Sequence, residues 1–529
     1  MKKRNKPIKR KNLITHPKLI LTTHLFTNPY IYLSIIILVF LFHSYHFRFF
    51  MIDDAFTSFR YAKNLVEGKG FVYNPGERVE GYTNFLWTLI IAIFMKLGFQ
   101  PERLSQVLGI IFAGLSIFLV FLIGCLLSPK NRLFNLITCL FLCANSCFAC
   151  WADGGLEGPF FTFLILLAIY RYFLEIQNKK VYLSPILFGI SSLTRPEGIL
   201  FFGITFIHQI VLFFKNKISL KNLFLSIAFF LSIFAPYYLW RYAYYGFPLP
   251  NTFYAKVGEG ISQYLRGVKY IKDFLIEFSG WIFLAIPFVF KRFNTNYLYF
   301  LLITFSYLLY IIYIGGDSLS MYRFLVPILP FLYLLFQEGL KSFTELFSEK
   351  KAIAIVFIIL AIGIPLTTKK SFSGNSYNAL SSQSTLTQNW SFVGKWMKDN
   401  ISKNASIALS PAGAIPYYSG LYSIDMLGLC DLNISHMKSD WMGKGFAGHE
   451  KGSGDYILLR KPTYILLGNI IISDKPEFNF QDIPWDYWAL KSERELWFNL
   501  KFHEMYEQVA SHLGGGWYLH YFRLKKIFS

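Results

Sequence analysis

Long apolar runs separated by short polar loops occupy the chain from residue 30 to about residue 368. A run of about 20 apolar residues is long enough to cross the ~30 Å hydrocarbon core of a bilayer as an α-helix. Repetition of such runs predicts an α-helical polytopic membrane protein with about eleven transmembrane helices. The predicted spans are 30–50, 104–127, 134–150, 159–175, 181–194, 198–214, 222–240, 276–290, 296–314, 323–337 and 351–367.

The apolar segment 85–97 is too short for a clear assignment, and the distribution of charge decides how it is interpreted. If it lies on the membrane surface, all the basic loops between later spans face the cytoplasm, as the positive-inside rule requires. These loops contain Lys130 and Arg132, Lys179 and Lys180, Lys215 to Lys221, Lys291 and Arg292, and Lys350 and Lys351. This topology places the polar loops and the tail outside the cytoplasm.

Residues 1–29 are strongly basic and precede the first apolar run. They resemble the start of a signal peptide, but the run is long and no small-residue cleavage site follows it. We therefore expect an uncleaved first span and a cytoplasmic N-terminus in a multi-pass membrane protein.

From residue 369 onward the composition is that of a soluble domain. Residues 375–388 are rich in Ser, Asn and Thr and are typical of a linker, whereas 389–400 has helical spacing. Strand-like runs follow, which together with intervening turns predict a small C-terminal extracytoplasmic α/β domain. The predicted strands are 406–409, 422–426, 464–467 and 517–524. The predicted organisation is 1–29, a transmembrane domain 30–368 with an outer loop 51–103, and a soluble domain 369–529.

Composition and charge narrow the function classes. The chain is 54% hydrophobic and 16% charged with a net charge of +21, whereas soluble proteins carry ~25% charged residues. The basic residues lie between apolar spans rather than on one module, which argues against nucleic-acid binding. Cys147 and Cys150 have C-x-x-C spacing within an apolar helix and are expected to be packing residues, and Cys430 is alone in the tail.

Two adjacent carboxylates, Asp53 and Asp54, stand where the chain leaves the first span. Apolar residues recur at helical spacing after them, which predicts an amphipathic helix over 53–66 on the outer face. The carboxylates either cap this helix or supply a general base at the membrane edge. Arg60 and Lys63 follow about two turns on, where they either hold a phosphate or reach lipid headgroups.

These residues belong to a longer pattern. The string DDAFTSFRYAKNLVEGKGFVYNPGERVEGYTNFLW (53–87) resembles the family of the mycobacterial terminal β-1,2-arabinofuranosyltransferase, within the GT-C superfamily of membrane glycosyltransferases. Further strings are similar to the same family: WADGGLEGPFF (151–161), LTRPEG (193–198), RYAYYGFPLPNTFYAK (241–256), GGDSLSMYRFLVPILP (315–330), AGAIPYYSGLYSIDMLGLCD (412–431) and GHEKGSGDY (448–456).

The resemblance implies the GT-C fold and a polyprenyl-phosphate-linked sugar as donor. It also implies that Asp53 and Asp54 occupy the catalytic acidic position, with Asp53 the preferred base. A basic residue of an outer loop is expected to hold the lipid phosphate, and Arg60, Lys256 and Arg323 are the candidates. The transfer is expected to invert the anomeric carbon and to deliver the sugar to a cell-envelope glycan or glycolipid on the outer side of the bacterial inner (plasma) membrane.

Other residues of the matching strings are predicted to bind substrate, and each also has a structural interpretation. Glu157 is either solvated or functional, Arg195 and Glu197 form a local ion pair or a binding site, and the tyrosines form an interfacial belt or stack on substrate. Asp317 orients a substrate or stabilises a turn. The full set is Tyr82, Glu157, Arg195, Glu197, Tyr245, Asn251, Tyr254, Asp317 and His449.

No metal ligand is assigned, because His449 and Glu450 lack a second His at ligand spacing; a divalent cation remains an open alternative. Neither a Walker nor a dinucleotide motif is present in strand–helix context, which favours a lipid-linked donor over a nucleotide sugar. The competing functions are a transporter or flippase, or a non-catalytic assembly factor, for a lipid-linked envelope glycan. A transporter would place ionisable residues along its spans, whereas here the charges cluster in the outer loops.

Overall fold

A computed structural model describes residues 28–129, 132–180, 182–258, 260–278, 280–292, 294–485 and 490–528. The predicted cytoplasmic segment 1–29 lies outside these ranges except for its last two residues, and so does Lys130 of the first basic loop.

The first two thirds of the chain form a bundle of helices. In chain order these are α1 (Pro29–Tyr45), α2 (Asp53–Val66), α3 (Phe85–Lys96), α4 (Pro101–Leu127), α5 (Leu136–Ala144), α6 (Ser146–Asp153), α7 (Gly158–Gln177), α8 (Leu183–Thr194), α9 (Gly198–Phe214), α10 (Leu220–Tyr245), α11 (Asn251–Lys256), α12 (Ile261–Glu277), α13 (Thr295–Ile314), α14 (Leu329–Thr344) and α15 (Glu349–Lys369). Two 3₁₀ segments, Gly280–Arg292 and Arg323–Ile328, precede α13 and α14.

Within the described ranges, six helices have the length and apolar character needed to cross a membrane, and counting each of two bent pairs as one span gives up to eight. The long ones are α4, α7, α10, α13, α15 and α14 joined to its preceding 3₁₀ turn. The helices α1, α3, α8 and α9 are apolar but shorter. The chain is thus a multi-pass membrane protein.

Two predicted spans are not continuous helices. The prediction 134–150 is interrupted between α5 and α6, which meet at 63° because Asn145 leaves helical geometry and its side chain accepts the N–H of Phe148. The prediction 276–290 falls on the end of α12 and the following 3₁₀ segment. Because α12 carries Arg266, Lys269 and Asp273, it is suited to a membrane surface rather than to the hydrocarbon core.

Helix α3 corresponds to the ambiguous segment 85–97. Its 12 residues extend about 18 Å, well short of the hydrocarbon thickness. It packs against α2, α4 and α8, with Trp87 and Ile91 fully buried. Its length fits the predicted surface or re-entrant position.

The tail begins with a continuous helix, α16 (Asn375–Asn400), so the prediction of a linker over 375–388 was wrong. The Ser and Thr residues that suggested a linker return their hydroxyls to carbonyls four residues earlier, as Ser382 does to Asn378 and Thr387 to Gln383. The buried side chain of Leu380 anchors the same stretch.

A mixed sheet follows α16. Its strands are β1 (Ser406–Leu409), β2 (Tyr422–Asp425), β3 (Tyr464–Ile465), β4 (Ile471–Ser473), β5 (Tyr506–Gly514) and β6 (Trp517–Leu524). The order is β2-β1-β3-β6-β4, with β5 on β6. Strands β1, β2 and β3 are parallel, with Leu409 opposite Asp425, and β6 runs antiparallel to its neighbours.

Short helices connect the strands. They are α17 (Ala414–Ser419), α18 (Leu432–His436), α19 (Gly454–Arg460), α20 (Lys491–Trp497) and α21 (Leu500–Met505). The four predicted strands are confirmed, whereas β4 and β5 had not been predicted: β4 has three residues, and the alternation of β5 is weak.

Helix α2 matches its predicted range of 53–66. Phe56, Phe59 and Ala62 pack into the bundle, as the apolar spacing predicts. Its polar residues Arg60 and Asn64 are also buried, because α17 and the loops beside it cover that face. The helix is therefore enclosed between the bundle and the C-terminal domain.

The loops divide between the two ends of the bundle. At one end, named here the acidic end, the start of α2 contacts the segment before α14, and Glu157 bonds Arg195. At the other end, the basic end, Ser128 bonds Glu338, and Asn222 donates to the carbonyl of Lys179. The described parts of these two basic loops thus lie away from the predicted site residues.

Candidate active site

The first residue of α2 is held by the C-terminal domain. The carboxylate of Asp53 accepts the backbone N–H groups of Gly413, at 3.0 Å, and Ala414, at 2.7 Å. A Cβ at position 413 would lie 2.0 Å from the carbonyl oxygen of Asp53, so only glycine permits this approach. Burial is the main cause that raises the pKa of Asp53 to about 7, opposed by the two N–H bonds.

The neighbouring carboxylate, Asp54, faces positive charge and open space. Its side chain is 38% exposed, and its Oδ2 lies 3.5 Å from Nη1 of Arg323. Asp317 binds the other side of that guanidinium, with Nε–Oδ2 at 2.9 Å and Nη2–Oδ1 at 3.2 Å. Burial acts to raise the pKa of Asp54, but the charges of Lys256, Arg323 and His449 together outweigh it and lower the pKa.

Lys256 and His449 complete this side of the site. Lys256 ends α11, and its aliphatic stem passes so close to Gly448 that a Cβ there would lie 3.1 Å from Cε. In the ranges that the structure describes, its ammonium group forms neither a hydrogen bond nor an ion pair. A ring nitrogen of His449 lies 3.1 Å from the carbonyl of Ala447, and burial lowers the pKa of His449.

Arg323 follows a strained turn. Met321 and Tyr322 have φ values of 57° and 45°, in the left-handed region that residues with a Cβ rarely adopt. The indole of Trp151 donates to the carbonyl of Met321 at 2.9 Å, and the hydroxyl of Tyr322 donates to Glu277 at 3.1 Å. Such strain persists only where surrounding contacts hold it, and here it fixes the direction of the arginine.

A second arginine lies in a closed network beside the site. Arg195 bonds Glu157 and Glu197, each at 2.6 Å, and all three side chains are less than 10% exposed. Glu157 also accepts the amide of Asn84, and Glu197 the hydroxyl of Tyr310. Because Asn84 in turn bonds Ser58 of α2, this network supports the helix that carries the acidic pair.

Arg60 and Lys63 point towards the C-terminal domain. The guanidinium of Arg60 is buried and donates to the carbonyls of Tyr73 and Leu421, at 2.7 and 2.8 Å. Lys63 donates to the carbonyl of Tyr417 at 3.3 Å. Protein acceptors thus occupy these groups, and the structure does not bring them together with Lys256 and Arg323.

The remaining predicted residues form contacts between the loops. The hydroxyls of Tyr82 and Tyr245 lie 3.1 Å apart in a buried aromatic cluster. Asn251 donates to the carbonyls of Gly428 and Leu429, and the ring of Tyr254 lies 4.4 Å from that of His436. These four residues brace the loop 240–256 against α2 and the C-terminal domain.

Sequence reasoning missed several contributors. Gly413 and Ala414 lie in a string that was recognised, but nothing in it indicated that they bind Asp53. Trp151 likewise opens a recognised string without revealing its bond to Met321. Glu80 and Arg241 form a buried ion pair, with Nε–Oε1 at 2.9 Å, between segments 161 residues apart. The sequence indicated this pair only in that a Glu occurs in the string 53–87 and an Arg in the string 241–256, which both match the family.

The described residues contain no group of three or more His, Cys, Asp or Glu side chains arranged to hold a metal ion. A divalent cation remains the alternative that the sequence left undecided.

Comparison with known proteins gives matches in both parts of the chain. The profile of a family described as a domain of unknown function, DUF8728, matches residues 378–521. The terminal β-(1→2)-arabinofuranosyltransferase of Mycobacterium tuberculosis is 29% identical over 255 residues, which cover 44% of this chain and 39% of the relative. The enzyme of the same name from Corynebacterium glutamicum is 24% identical over 258 residues, covering 44% and 37%. The chain spans about two fifths of the length of these curated relatives.

Among solved structures, ArnT from Cupriavidus metallidurans bound to undecaprenyl phosphate superposes with a TM-score of 0.53 at 11% identity. The superposition covers 74% of this chain and 85% of ArnT. At this identity the likeness concerns the fold. The chain thus has the GT-C fold and resembles, over 44% of its length, the terminal arabinofuranosyltransferases, which confirms the resemblance predicted from its motifs.

Proposed function

We propose that this protein is a glycosyltransferase that moves a sugar from a polyprenyl-phosphate-linked donor to a cell-envelope glycan or glycolipid. The observation that carries the proposal is the grouping of Asp54, Lys256 and Arg323 at the acidic end. A carboxylate that is 38% exposed stands there beside a guanidinium 3.5 Å away and an ammonium group without a partner in the described residues.

The donor phosphate binds Lys256 and Arg323. Charge-assisted hydrogen bonds from ammonium and guanidinium groups are the strong ligands of phosphate oxygens. Asp317 already occupies Nε and Nη2 of Arg323, which leaves Nη1 as the group directed at the ligand. Nε, Nη1 and Nη2 of Arg60 all donate to protein acceptors. Of the three cations predicted to hold the phosphate, the site therefore contains Lys256 and Arg323.

The transfer is a single displacement that inverts the anomeric carbon. The acceptor hydroxyl attacks C1 of the sugar, the C1–O bond to the phosphate breaks, and the proton of the hydroxyl passes to a carboxylate. Polyprenyl phosphate leaves as an anion that the two cations stabilise, so protonation of the leaving group is unnecessary.

Asp54 is the better placed of the two carboxylates to take the proton. The oxygens of Asp53 already accept two backbone N–H groups beneath the C-terminal domain, whereas Asp54 faces open space beside the phosphate ligands. The motif resemblance favours Asp53 as the base, and the geometry favours Asp54. In this scheme Asp53 positions its neighbour by fixing the start of α2.

The reaction takes place on the extracytoplasmic side of the membrane. The basic loops gather at the end of the bundle opposite the acidic pair, as the positive-inside rule requires for that orientation. A lipid-linked donor is available there, whereas nucleotide sugars are not. The bound undecaprenyl phosphate in the ArnT structure supports the same class of donor.

The direct test incubates the purified full-length protein with a panel of polyprenyl-phosphate sugars, arabinofuranose included, and an envelope extract as acceptor. Release of polyprenyl phosphate is followed for the wild type, Asp54→Asn and Asp53→Asn. We expect release by the wild type with at least one donor and a loss of about 10²–10⁴-fold in Asp54→Asn.

Lys269→Gln serves as a matched control, since Lys269 lies on the neighbouring helix α12 with its side chain 73% exposed and is not part of the site. Its activity should equal that of the wild type. No release from any donor by folded protein would refute the enzyme assignment and favour a transport or assembly role. A loss in Asp53→Asn that exceeds the loss in Asp54→Asn would instead exchange the two roles.

A further inference from the structure

The basic end of the bundle contains a cavity of about 380 Å³ where α7 turns into α8. Arg171 is fourteen residues along α7 from Glu157, a distance of about 21 Å, so the cavity is separate from the acidic end. Its lining residues are Arg171, Leu174, Glu175, Asn178, Lys180 and Tyr182.

Among the described lining residues, one is a carboxylate, and its hydrogen-bonding capacity is already used. Glu175 accepts the backbone N–H groups of Leu183 and Ser184, at 3.0 and 3.1 Å, and the hydroxyl of Ser184 at 2.7 Å. It therefore caps the first turn of α8, and the partial positive charge of that helix end offsets its charge.

Arg171 does not form the ion pair with Glu175 that its position on α7 would allow. It stands four residues before Glu175, the spacing at which helical ion pairs form. Across the described ranges, however, its guanidinium makes no hydrogen bond or ion pair, and its Nε is buried without an acceptor. A buried cationic donor without an acceptor raises the free energy of the folded protein. An anion that binds here from outside the described residues would remove this cost.

We propose that the cavity binds the phosphodiester headgroup of an anionic phospholipid. Arg171 and Lys180 provide two positive charges, and Asn178 and Tyr182 provide neutral donors at the same rim. With Glu175 counted, the lining carries one net positive charge, which suits a singly charged diester better than a doubly charged monoester. The cavity lies at the end of a membrane-spanning helix, the depth at which headgroups lie, and basic pockets on the cytoplasmic side are typical anionic-lipid sites.

Native mass spectrometry of the full-length protein, titrated with phosphatidylglycerol or with phosphatidylcholine, tests the assignment. We expect one phosphatidylglycerol to be retained per chain and no comparable retention of phosphatidylcholine. Arg171→Gln should weaken the affinity for phosphatidylglycerol roughly tenfold or more, because it removes a charged hydrogen bond. Lys180→Gln, at an exposed position, provides a second variant that does not disturb the helix packing.

Lys217→Gln is the matched control, because Lys217 is an exposed residue of another basic loop and does not line the cavity. Equal binding by the wild type, Arg171→Gln and Lys180→Gln would overturn the proposal. An equal loss in Lys217→Gln would also overturn it, by showing general attraction to the basic end. Displacement of the lipid by an equimolar amount of inorganic phosphate would assign the site to free phosphate instead of a headgroup.

Discussion

Two arginines at the acidic end differ in how completely their charge is matched. Arg195 is bound by Glu157 and Glu197, each at 2.6 Å, and these two carboxylates accept further bonds from Asn84 and Tyr310. Arg323 is bound by Asp317 on one side only, while its Nη1 has a long 3.5 Å contact with the exposed Asp54. Lys256, for which the described residues provide neither a hydrogen bond nor an ion pair, belongs to the second group.

The difference indicates a structural role for the Arg195 network and a capacity to bind substrate for the Arg323 group. A buried network in which every charge is paired keeps its geometry without a ligand, and it loses much when one member is removed. A group of charges that is incompletely paired and partly open keeps binding capacity for a substrate. Both arginines had been predicted to bind substrate, and only their surroundings distinguish them.

The largest expected effect is catalytic. Asp54→Asn removes the carboxylate that we propose takes the acceptor proton while keeping the size of the side chain, so we expect the turnover number to fall by about 10²–10⁴-fold. The melting temperature in detergent should change little, because the side chain is partly exposed and makes only one long ion-pair contact. A variant that retains more than a tenth of the wild-type turnover would remove Asp54 from the mechanism.

The next effect concerns stability. Arg195→Gln leaves Glu157 and Glu197 buried without their shared cation, which should lower the free energy of unfolding by ~3–5 kcal/mol. Thermal unfolding of the purified protein measures this loss, with Asp54→Asn as the comparison. If both variants melt at the wild-type temperature, the distinction between the two arginines is wrong.

A smaller effect is expected for the donor phosphate. Lys256→Gln removes one of the two phosphate ligands that we propose, so the KM for the lipid donor should rise about tenfold or more. Lys269→Gln should leave KM unchanged. A normal KM in Lys256→Gln would leave Arg323 as the remaining phosphate ligand and would break the grouping proposed at the acidic end.

The smallest effect is a dependence of stability on pH. Burial raises the pKa of Asp53 from 3.8 to about 7, so the folded state binds this proton more tightly than the unfolded state. The contribution of Asp53 to stability is therefore largest below its unfolded pKa and is lost as the pH rises to about 7. We expect the melting temperature of the wild type, relative to Asp53→Asn, to decline by a few degrees between pH 5 and pH 7. A difference that stays constant over this range would contradict the raised pKa.

Several features of the fold followed from local patterns. The helix 53–66 and the four predicted strands required only hydrophobic spacing and turn residues, because the local pattern sets the type of element even where its packing partner lies far along the chain. The linker prediction failed at α16, since Ser and Thr are compatible with a helix when their hydroxyls bond the preceding turn. Short spans such as α5 and α6 are broken by a single side-chain cap, which hydropathy does not register.

The sequence by itself determined that this protein crosses a membrane repeatedly, that it resembles a GT-C glycosyltransferase, and which polar residues are candidates for its chemistry. Only the tertiary structure decided which contacts each candidate makes. Asp53 is bound by Gly413, 360 residues away, and Asp54 faces Arg323, so neither contact has a local signature. Residue type sets which bonds a side chain can make, but the packing of distant segments determines which of those bonds are already made and which remain for a ligand.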